Sequence, residues 1–502
     1  MMSRPDVPLL SVVVLVYNTA DYLQACFDSL IGQTYPNIEI LAVDDASTDT
    51  SLAICREYES RHSNFRCISK ANEGGAVSGN LGVSLATGKY VAIVDSDDVV
   101  MPDAYAHMIT RAEEAAADIV VGRAARLIDR QMSAVAFLYE PFVWAAAREL
   151  DSIHQYPELM HDGFYWNKVF RTRFLREHGL GMLPGLLYAD RPFVHRAYLL
   201  SRKTVVITDL VYLWRQRDAA TSITQLKARA ANFQDRMRSV ALEWQEFADD
   251  SSADAYRRLI AVFNLQRALH VINDILASEE FCQVFIEGIQ GLLKLFGDLD
   301  YQALGVRRVA YLELIRRDDL LRLKRLLSEP ADITLVEHDG SCFWQPAQIE
   351  GAGLDAKLLR IDFPTIGFFS IADLIVEDGI LLLDLQLHDS VQARSGAYLE
   401  LQSLTGQGAY RFKLLGAIAP NLQRFAAPCA TLKAFVDRPD GLFGIVLSYE
   451  VFGIVGRYRL GPSLLSEAAR SRLPLACGDA HVVDVSRLVG GLGVTARPSR
   501  YV

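Results

Sequence analysis

The run Lys89–Asp98, KYVAIVDSDD, constrains this chain more than any other stretch. Its apolar segment, Tyr90 to Val94, asks for cover on both faces, the pattern of a strand inside a parallel sheet. The segment stops abruptly at Asp95, Ser96, Asp97 and Asp98, where three carboxylates stand in four positions. Such a cluster repels itself and calls for water or a cation to offset the charge. In an extended chain, acids at i and i+2 point the same way. Oxygen ligands of that kind suit Mg2+ or Mn2+, with the remaining positions left to phosphate oxygens and water. Asp97 and Asp95 are therefore the candidate metal ligands. Taken alone, the cluster reads as a solvated acidic turn after a core strand; its neighbours argue for more.

The same pattern occurs twice upstream. Leu10 to Val16 is apolar and stops at Tyr17-Asn18, and Ile38 to Val43 stops at Asp44-Asp45-Ala46-Ser47. Between them Leu23, Cys26, Phe27, Leu30 and Ile31 carry helical spacing, with Thr19 as a candidate cap and Pro36 as the stop. A second helix is expected from Thr48 or Asp49 through Leu52, Ile54 and Tyr58 toward His62. A short strand near Arg66 to Ser69, a turn at Asn72-Glu73-Gly74-Gly75 and a helix to Ala86 follow. This alternation implies right-handed crossovers and a mostly parallel, twisted sheet. Ligands of such sheets sit beyond the carboxyl ends of the strands, where the three polar endings converge. The chain has no GxxxxGK[ST] and no GxGxxG after its first strand, and Gly75, Gly79 and Gly82 resemble a glycine loop only loosely. Nucleotide phosphates would then be held by a metal on carboxylates rather than by backbone amides.

A length of 502 residues implies two or three domains. A net charge of -10 argues against a wholly basic nucleic-acid binder, so no nucleic-acid partner is expected. The seven cysteines are scattered, odd in number and never in CxxC spacing, which fits a reducing compartment and no zinc or disulfide framework. The opening MMSRPDVPLLSVVVLVYN lacks a small-residue cleavage signal, and no run of about 18 uninterrupted apolar residues is visible. The expectation is a cytoplasmic protein, with peripheral association at the inner face of the membrane left open.

At this point the residues resemble a known family. SVVVLVYNTADYLQACFDSLIGQTYPNIEILAVDDASTD, then NEGG, then GKYVAIVDSDDVVMPD, closely resembles the family 2 glycosyltransferases with the GT-A fold, over roughly the first 125 residues. The resemblance implies that Tyr17 packs near the nucleotide base and that Asp45 hydrogen-bonds that base, usually uracil. Asn72 would join the nucleotide-sugar site, Asp95 and Ser96 would contact ribose and phosphate, and Asp97 would hold a divalent metal bridging the diphosphate. One position departs: the family often has arginine in xRNxG, where this chain has Gly79.

The segment from Phe164 to Thr224 resembles wall teichoic acid and capsule glycosyltransferases through Asn167-Lys168-Val169-Phe170-Arg171, Ala189-Asp190, and Tyr212-Leu213-Trp214-Arg215 with Ser222. By resemblance Asp190 is the general base of inverting transfer; the acid that usually precedes it is Ala189 here. Inverting transfer is a single displacement at the anomeric carbon, so a base and a stabiliser of the leaving diphosphate are both needed. Arg215 and Arg217, with Lys168 or Arg171, are candidates for the second role. Read alone, Asp190 is a surface acid favoured at a helix start, and the arginines are solvated charge. His154, His161, His178 and His195 show no metal-ligand spacing and read as structural or surface residues.

From Gln225 to Leu327 the pattern turns helical, with a stripe at Phe263, Leu265, Leu269, Ile272 and Ile275-Leu276. The basic run Arg316-Arg317, Arg322 and Lys324-Arg325 is either the solvated face of a connector or a surface for anionic lipid or polymer. After Pro330, the runs ITLVEH, AKLLRID, ILLLDLQ, AYLELQ, YRFKLLG, TLKAFV, FGIVLSY and IVGRYRL suggest a β-sandwich. The expected organisation is an α/β GT-A domain over 1–225, a helical linker over 226–330 and a β-rich domain over 331–502 for glycan binding or homo-oligomerisation. The expected activity is metal-dependent, inverting transfer from a nucleotide-diphosphate sugar, a UDP-sugar by resemblance, to a hydroxyl of a cell-surface glycan or glycopolymer. The alternatives are a glycan-binding scaffold whose transferase domain has decayed and a polymerase adding many sugars.

Overall fold

The apolar runs form the core strands β1 (Leu10–Val16), β2 (Ile38–Asp44), β3 (Phe65–Ser69) and β4 (Tyr90–Asp95), all parallel in the order β3-β2-β1-β4. In this computed structural model the described residues are 7–128, 131–133, 143–144, 146–217, 228–246, 254–329, 335–338, 341–360, 369–387, 398–403, 409–419, 422–436, 443–451, 454–459, 475–476, 481–486 and 491–496. Val12, Val13, Val14, Ile40, Leu41, Val91 and Val94 are wholly buried, which explains why these strands read as continuous apolar runs rather than alternating ones. The crossover helices are α1 (Ala20–Ile31), α2 (Ser51–Arg61) and α3 (Gly75–Leu85). Thr19 precedes α1 but its side chain does not cap it; the hydroxyl reaches Ser96 at 2.7 Å instead. Helix α2 starts at Ser51 because the Asp49 carboxylate accepts the Ser51 N–H at 2.9 Å and the Ala20 N–H at 3.1 Å. Gly79 and Gly82 of α3 serve close packing. A Cβ at Gly82 would lie 2.1 Å from Val13 Cγ1, so glycine lets α3 settle on β1.

The sheet continues through β5 (Val99–Val100), β6 (Ile119–Ile128), β7 (Gln131–Ser133), β8 (Arg148–Leu150), β9 (Lys168–Arg171) and β10 (Thr204–Arg215). Its path runs β3-β2-β1-β4-β9-β6-β10-β5, with β7 on β6 and β8 on β10, ten strands in all. Strands β6 and β10 are parallel, while β9 runs antiparallel between β4 and β6. Helix α4 (Ala104–Glu114) packs on β6 and β10.

The chain divides into two compact units, 1–297 and 298–502. In the first, helices Ala230–Glu246, Asp254–Ala268 and Glu279–Phe296 follow the sheet. The stretch Arg257–Leu276 is long and apolar enough to cross a membrane by length and composition, yet half of its most apolar window is buried within the protein. Ile260, Ala261, Leu265 and Ala268 from that stretch are core residues.

The second unit opens with helices Val306–Arg316 and Leu320–Ser328 and continues in antiparallel sheets. Several arginines of the basic run are engaged inside this unit. Arg317 donates to the Gly353 carbonyl at 2.8 Å, Arg322 to the Glu350 carbonyl at 3.1 Å and to Asp319 at 2.7 Å, and Arg325 pairs with Glu329. Two of the expected strands are not strands: TLKAFV lies in helix Cys429–Val436, and AKLLRID contributes a 3-10 turn at Ala356–Leu359, its last two residues lying outside the described set. On the paired strands Ile380–Leu387 and Leu422–Pro428, Asp384 faces Arg424 with both oxygens accepting at 2.6 Å. Asp384 is buried and Arg424 partly exposed, so Arg424→Ala strands a carboxylate that water screens only in part. The expected loss is about 2 kcal/mol in urea unfolding, between a surface pair and a fully buried one.

Candidate active site

The two candidate metal ligands straddle the end of a strand: Asp95 is its last residue and Asp97 lies on the turn that follows. β4 ends at Asp95, and the Asp98 N–H donates back to the Asp95 carbonyl at 3.1 Å. The acids therefore separate and take different partners. Asp95 Oδ1 accepts from the Tyr165 hydroxyl at 2.6 Å, and Asp97 Oδ2 accepts from Arg217 Nε at 2.7 Å. Asp98, wholly buried, accepts from the Tyr212 hydroxyl and from the Arg215 N–H, each at 2.7 Å. The Tyr212 hydroxyl also accepts from the Asp95 N–H at 3.2 Å, and its ring stacks on Trp166, which stacks on Phe164. Arg215 Nε donates to the Asp97 carbonyl at 2.6 Å, and the Arg215 and Arg217 guanidinium groups lie 5.3 and 5.6 Å from the centre of the Tyr22 ring. Ser96 is buried against Thr19.

Burial, then the charge of Asp97, pushes Asp95 up to about 7, with the Tyr165 hydrogen bond and Arg217 pulling back. Burial and both neighbouring acids push Asp98 well above the usual carboxylate range. Three carboxylates in one turn cannot all ionise without a counter-charge, and Arg217 provides one in this structure. Among the described residues no group of three or more His, Cys, Asp or Glu is arranged to hold a metal. The oxygen donors of Asp97 and Asp95 fit a hard divalent cation that completes its shell from a diphosphate and water.

At the neighbouring strand ends, Asp45 is buried and accepts from Lys70 Nζ at 2.7 Å, the Glu73 N–H at 3.0 Å and the Gly74 N–H at 2.8 Å. Burial raises its carboxyl, but Lys70 and the two amides more than offset this and hold it below the usual range. Asp45 thus fixes the loop carrying Asn72, which is exposed. Tyr17 is 49% exposed. Asn18, at a positive φ of 49°, ties β1 to the start of α2 by accepting from the Thr48 N–H at 2.8 Å. A cavity of about 460 Å³ opens beside it, lined by Asn18, Thr19, Tyr22, Thr48 and Thr50 among others.

Asp190 is the first residue of helix Asp190–Leu200 and is half-buried. Burial pushes its carboxyl up, against Arg191 and Arg267. Its charge acts on both Asp95 and Tyr165, so the candidate base and the acidic turn share one field with Tyr165 bonded to the turn. Ala189 is buried. The place of the departing arginine is filled: a Cβ at Gly79 would lie 2.1 Å from Met182 Cε, and Asn80 bonds both the N–H and the carbonyl of Met182.

Two candidate cations have other work. Arg171 donates to the Ala117 carbonyl at 2.9 and 3.1 Å, and the antiparallel course of β9 sets it opposite Tyr90, at the start of β4 rather than its acidic end. Lys168 is fully buried, donates to the Phe164 carbonyl and to Asn167 Oδ1 and pairs with Asp162 at 3.1 Å; burial draws its ammonium down to about 8. It holds the loop that presents Tyr165. Ser222 lies outside the described residues. Tyr165 and Tyr22 are candidate site residues that sequence reasoning missed, and Asp98 and Tyr212 stand in its motifs without a role. The one signal was that a buried tyrosine hydroxyl needs a partner.

Glycosyl transferase family 2 matches residues 11–179. Glycosyltransferase GlyG of Streptococcus pneumoniae is 32% identical over 227 residues, 43% of this chain and 74% of that protein. Poly(ribitol-phosphate) beta-glucosyltransferase of Bacillus spizizenii is 24% identical over 370 residues, 70% of this chain and 56% of that protein. The fold is that of S. aureus TarS, with a TM-score of 0.61 and 17% identity over 98% of this chain and 86% of TarS. The 1–349 portion of TarS has been solved with UDP-GlcNAc and aligns with a TM-score of 0.53 and 20% identity over 68% of this chain and 97% of that one. With its parallel strands ending in the acidic turn and in the Asp45 loop, this chain belongs to glycosyl transferase family 2.

Proposed function

We propose that this glycosyltransferase moves a sugar from a UDP-sugar to a hydroxyl of a cell-surface glycan or glycopolymer, by a metal-dependent displacement that inverts the anomeric centre. The observation that carries the reading is the acidic turn at the carboxyl end of β4, where Asp95, Asp97 and Asp98 are held by Tyr165, Arg217, Tyr212 and the Arg215 N–H. The UDP-GlcNAc complex of TarS and the similarity to the Bacillus poly(ribitol-phosphate) beta-glucosyltransferase support the donor and acceptor classes.

Asp190 takes the proton of the acceptor hydroxyl as its oxygen bonds the anomeric carbon. The bond from that carbon to the diphosphate breaks on the opposite face, and the leaving diphosphate keeps the electron pair. Arg215 and Arg217, gathered over Tyr22, offset its growing charge. A divalent cation on Asp97 and Asp95 supplies Lewis-acid neutralisation of the diphosphate when bound. Calorimetry of a nucleotide-sugar panel with and without Mn2+ tests the reading, and a folded protein that binds no donor would refute it.

The elevated Asp95 carboxyl sets a pH dependence. In the free protein Asp95 is mostly protonated below about 7 and must lose that proton to ligate a cation. Mn2+–UDP affinity is expected to fall toward tenfold per pH unit below about 7 and to level off above it. Calorimetry in buffers of different ionisation enthalpy should record proton release at pH 6 and little at pH 8.

A further inference from the structure

Helix Ala230–Glu246 falls in the stretch that the sequence presents as a connector; one of its buried sides, with Phe233, packs on Phe281 and Phe285, and another is polar. Asn232, Asp235, Ser239 and Glu243 recur at spacings of three, four and four, a single stripe along one side of the helix. All four bind the segment 187–195, on both sides of Asp190. Asp235 Oδ2 accepts from the Leu187 N–H at 2.6 Å, and Asn232 Oδ1 accepts from the Tyr188 hydroxyl at 2.8 Å. The Ser239 hydroxyl donates to the Tyr188 carbonyl at 2.6 Å. Glu243 Oε1 hydrogen-bonds His195 Nδ1, one turn beyond Arg191, and Oε2 lies 3.8 Å from Arg191 Nε. From helix Asp254–Ala268, Asn264 donates to Glu243 Oε2 at 3.5 Å. Arg236 donates to the carbonyl of Arg267 at 2.9 Å, and Arg267 is one of the cations whose charge acts on Asp190.

Glu243, Arg191 and His195 are almost wholly inaccessible. His195 Nε2 lies 2.8 Å from the Met160 carbonyl and 3.5 Å from an Arg191 guanidinium nitrogen, while Nδ1 meets Glu243, so both ring nitrogens are engaged. Burial alone draws the imidazole down and the carboxyl up; His195 and Arg191 bring Glu243 back below its usual range. A buried charged cluster is a poor source of stability beside apolar packing. What it supplies is a fixed geometry, and the segment it fixes needs one. Asp190 follows a loop through Pro184 and Gly185, and Ala189 offers no side-chain cap.

We propose that helix Ala230–Glu246 is the positioning element for Asp190, fixing the backbone before it through Leu187 and Tyr188 and the helical turn after it through Arg191 and His195. The proposal rests on Asp190 being the base. A misplacement of about 1 Å is enough to cost about 100-fold in rate. The variants are Ser239→Ala and Glu243→Gln in the full chain, with Asp190→Asn in parallel. Two readouts apply: amide exchange, and UDP release from the best-bound UDP-sugar with poly(ribitol phosphate) as acceptor. Faster exchange is expected over 187–195 but not over 90–100, with kcat about 10–100-fold lower and donor Kd within about twofold. Added to Asp190→Asn, neither variant should cost more, because each acts through that carboxylate.

Unchanged exchange over 187–195 overturns the proposal, as do losses that multiply onto Asp190→Asn or donor affinity that falls with kcat. Ser239→Ala, which removes one hydroxyl, decides alone if Glu243→Gln does not fold. Wild-type turnover in Asp190→Asn would instead refute the base assignment, whatever the exchange pattern.

Discussion

Asp190→Asn should lower turnover about 10²–10⁴-fold, the usual contribution of a general base, while nucleotide-sugar affinity stays within about twofold. Asparagine keeps the shape and hydrogen-bonding reach of the side chain but cannot accept the acceptor's proton. Its effect therefore falls on the chemical step. Asp190 is not among the groups bonded to the Asp95–Asp98 turn; it acts on Asp95 through charge alone. Removing that charge relieves some repulsion on the turn, so donor binding should hold or tighten slightly. UDP release and calorimetry on the same preparation separate the two effects. Weakened donor binding with unchanged turnover at saturation would move Asp190 from base to donor contact.

The part of this arrangement legible in sequence is the part made by local pattern. Val12 to Val14, Ile40 to Val43 and Val91 to Val94 are buried on both faces, so their runs announced parallel strands, and the acids after them announced the edge that matters. What escaped is made by partners distant in the chain. Tyr165 reaches back 70 residues to Asp95 and Tyr212 reaches 114 back to Asp98, and both rings look like core residues until their hydroxyls are followed. The stripe Asn232–Glu243 carries no local signal of burial, because polar helix positions usually are solvated; here segment 187–195 covers it. The same limit explains the acidic turn. An extended course through Asp97 is reasonable from side-chain alternation, but the Asp98 N–H closes on the Asp95 carbonyl and Tyr212 and Arg215 hold the closed form. In TLKAFV, β-type residues are carried by a helix of the second unit, a case of tertiary context overriding weak propensity.

Asp97→Ala should abolish Mn2+-dependent donor binding, and Arg217→Gln should do something opposite to the free protein: tighten Mn2+ while weakening the nucleotide. In this structure Arg217 Nε occupies Asp97 Oδ2 at 2.7 Å, with both side chains largely shielded from water. A cation that bonds the same oxygen must first displace the guanidinium. A partly buried pair of this kind is worth about 1 kcal/mol, so Arg217→Gln should strengthen Mn2+ binding without nucleotide about fivefold. The released arginine is not wasted in the wild type, because its guanidinium, already over the Tyr22 ring beside Arg215, can turn to the diphosphate that arrives with the metal. Its removal should therefore cost donor affinity even as bare Mn2+ binds better. Titration of Mn2+ by electron paramagnetic resonance, with and without UDP, reads both limbs. If Arg217→Gln leaves bare Mn2+ affinity unchanged, the metal does not compete for Oδ2, and Asp97 must offer it the other oxygen while the ion pair persists.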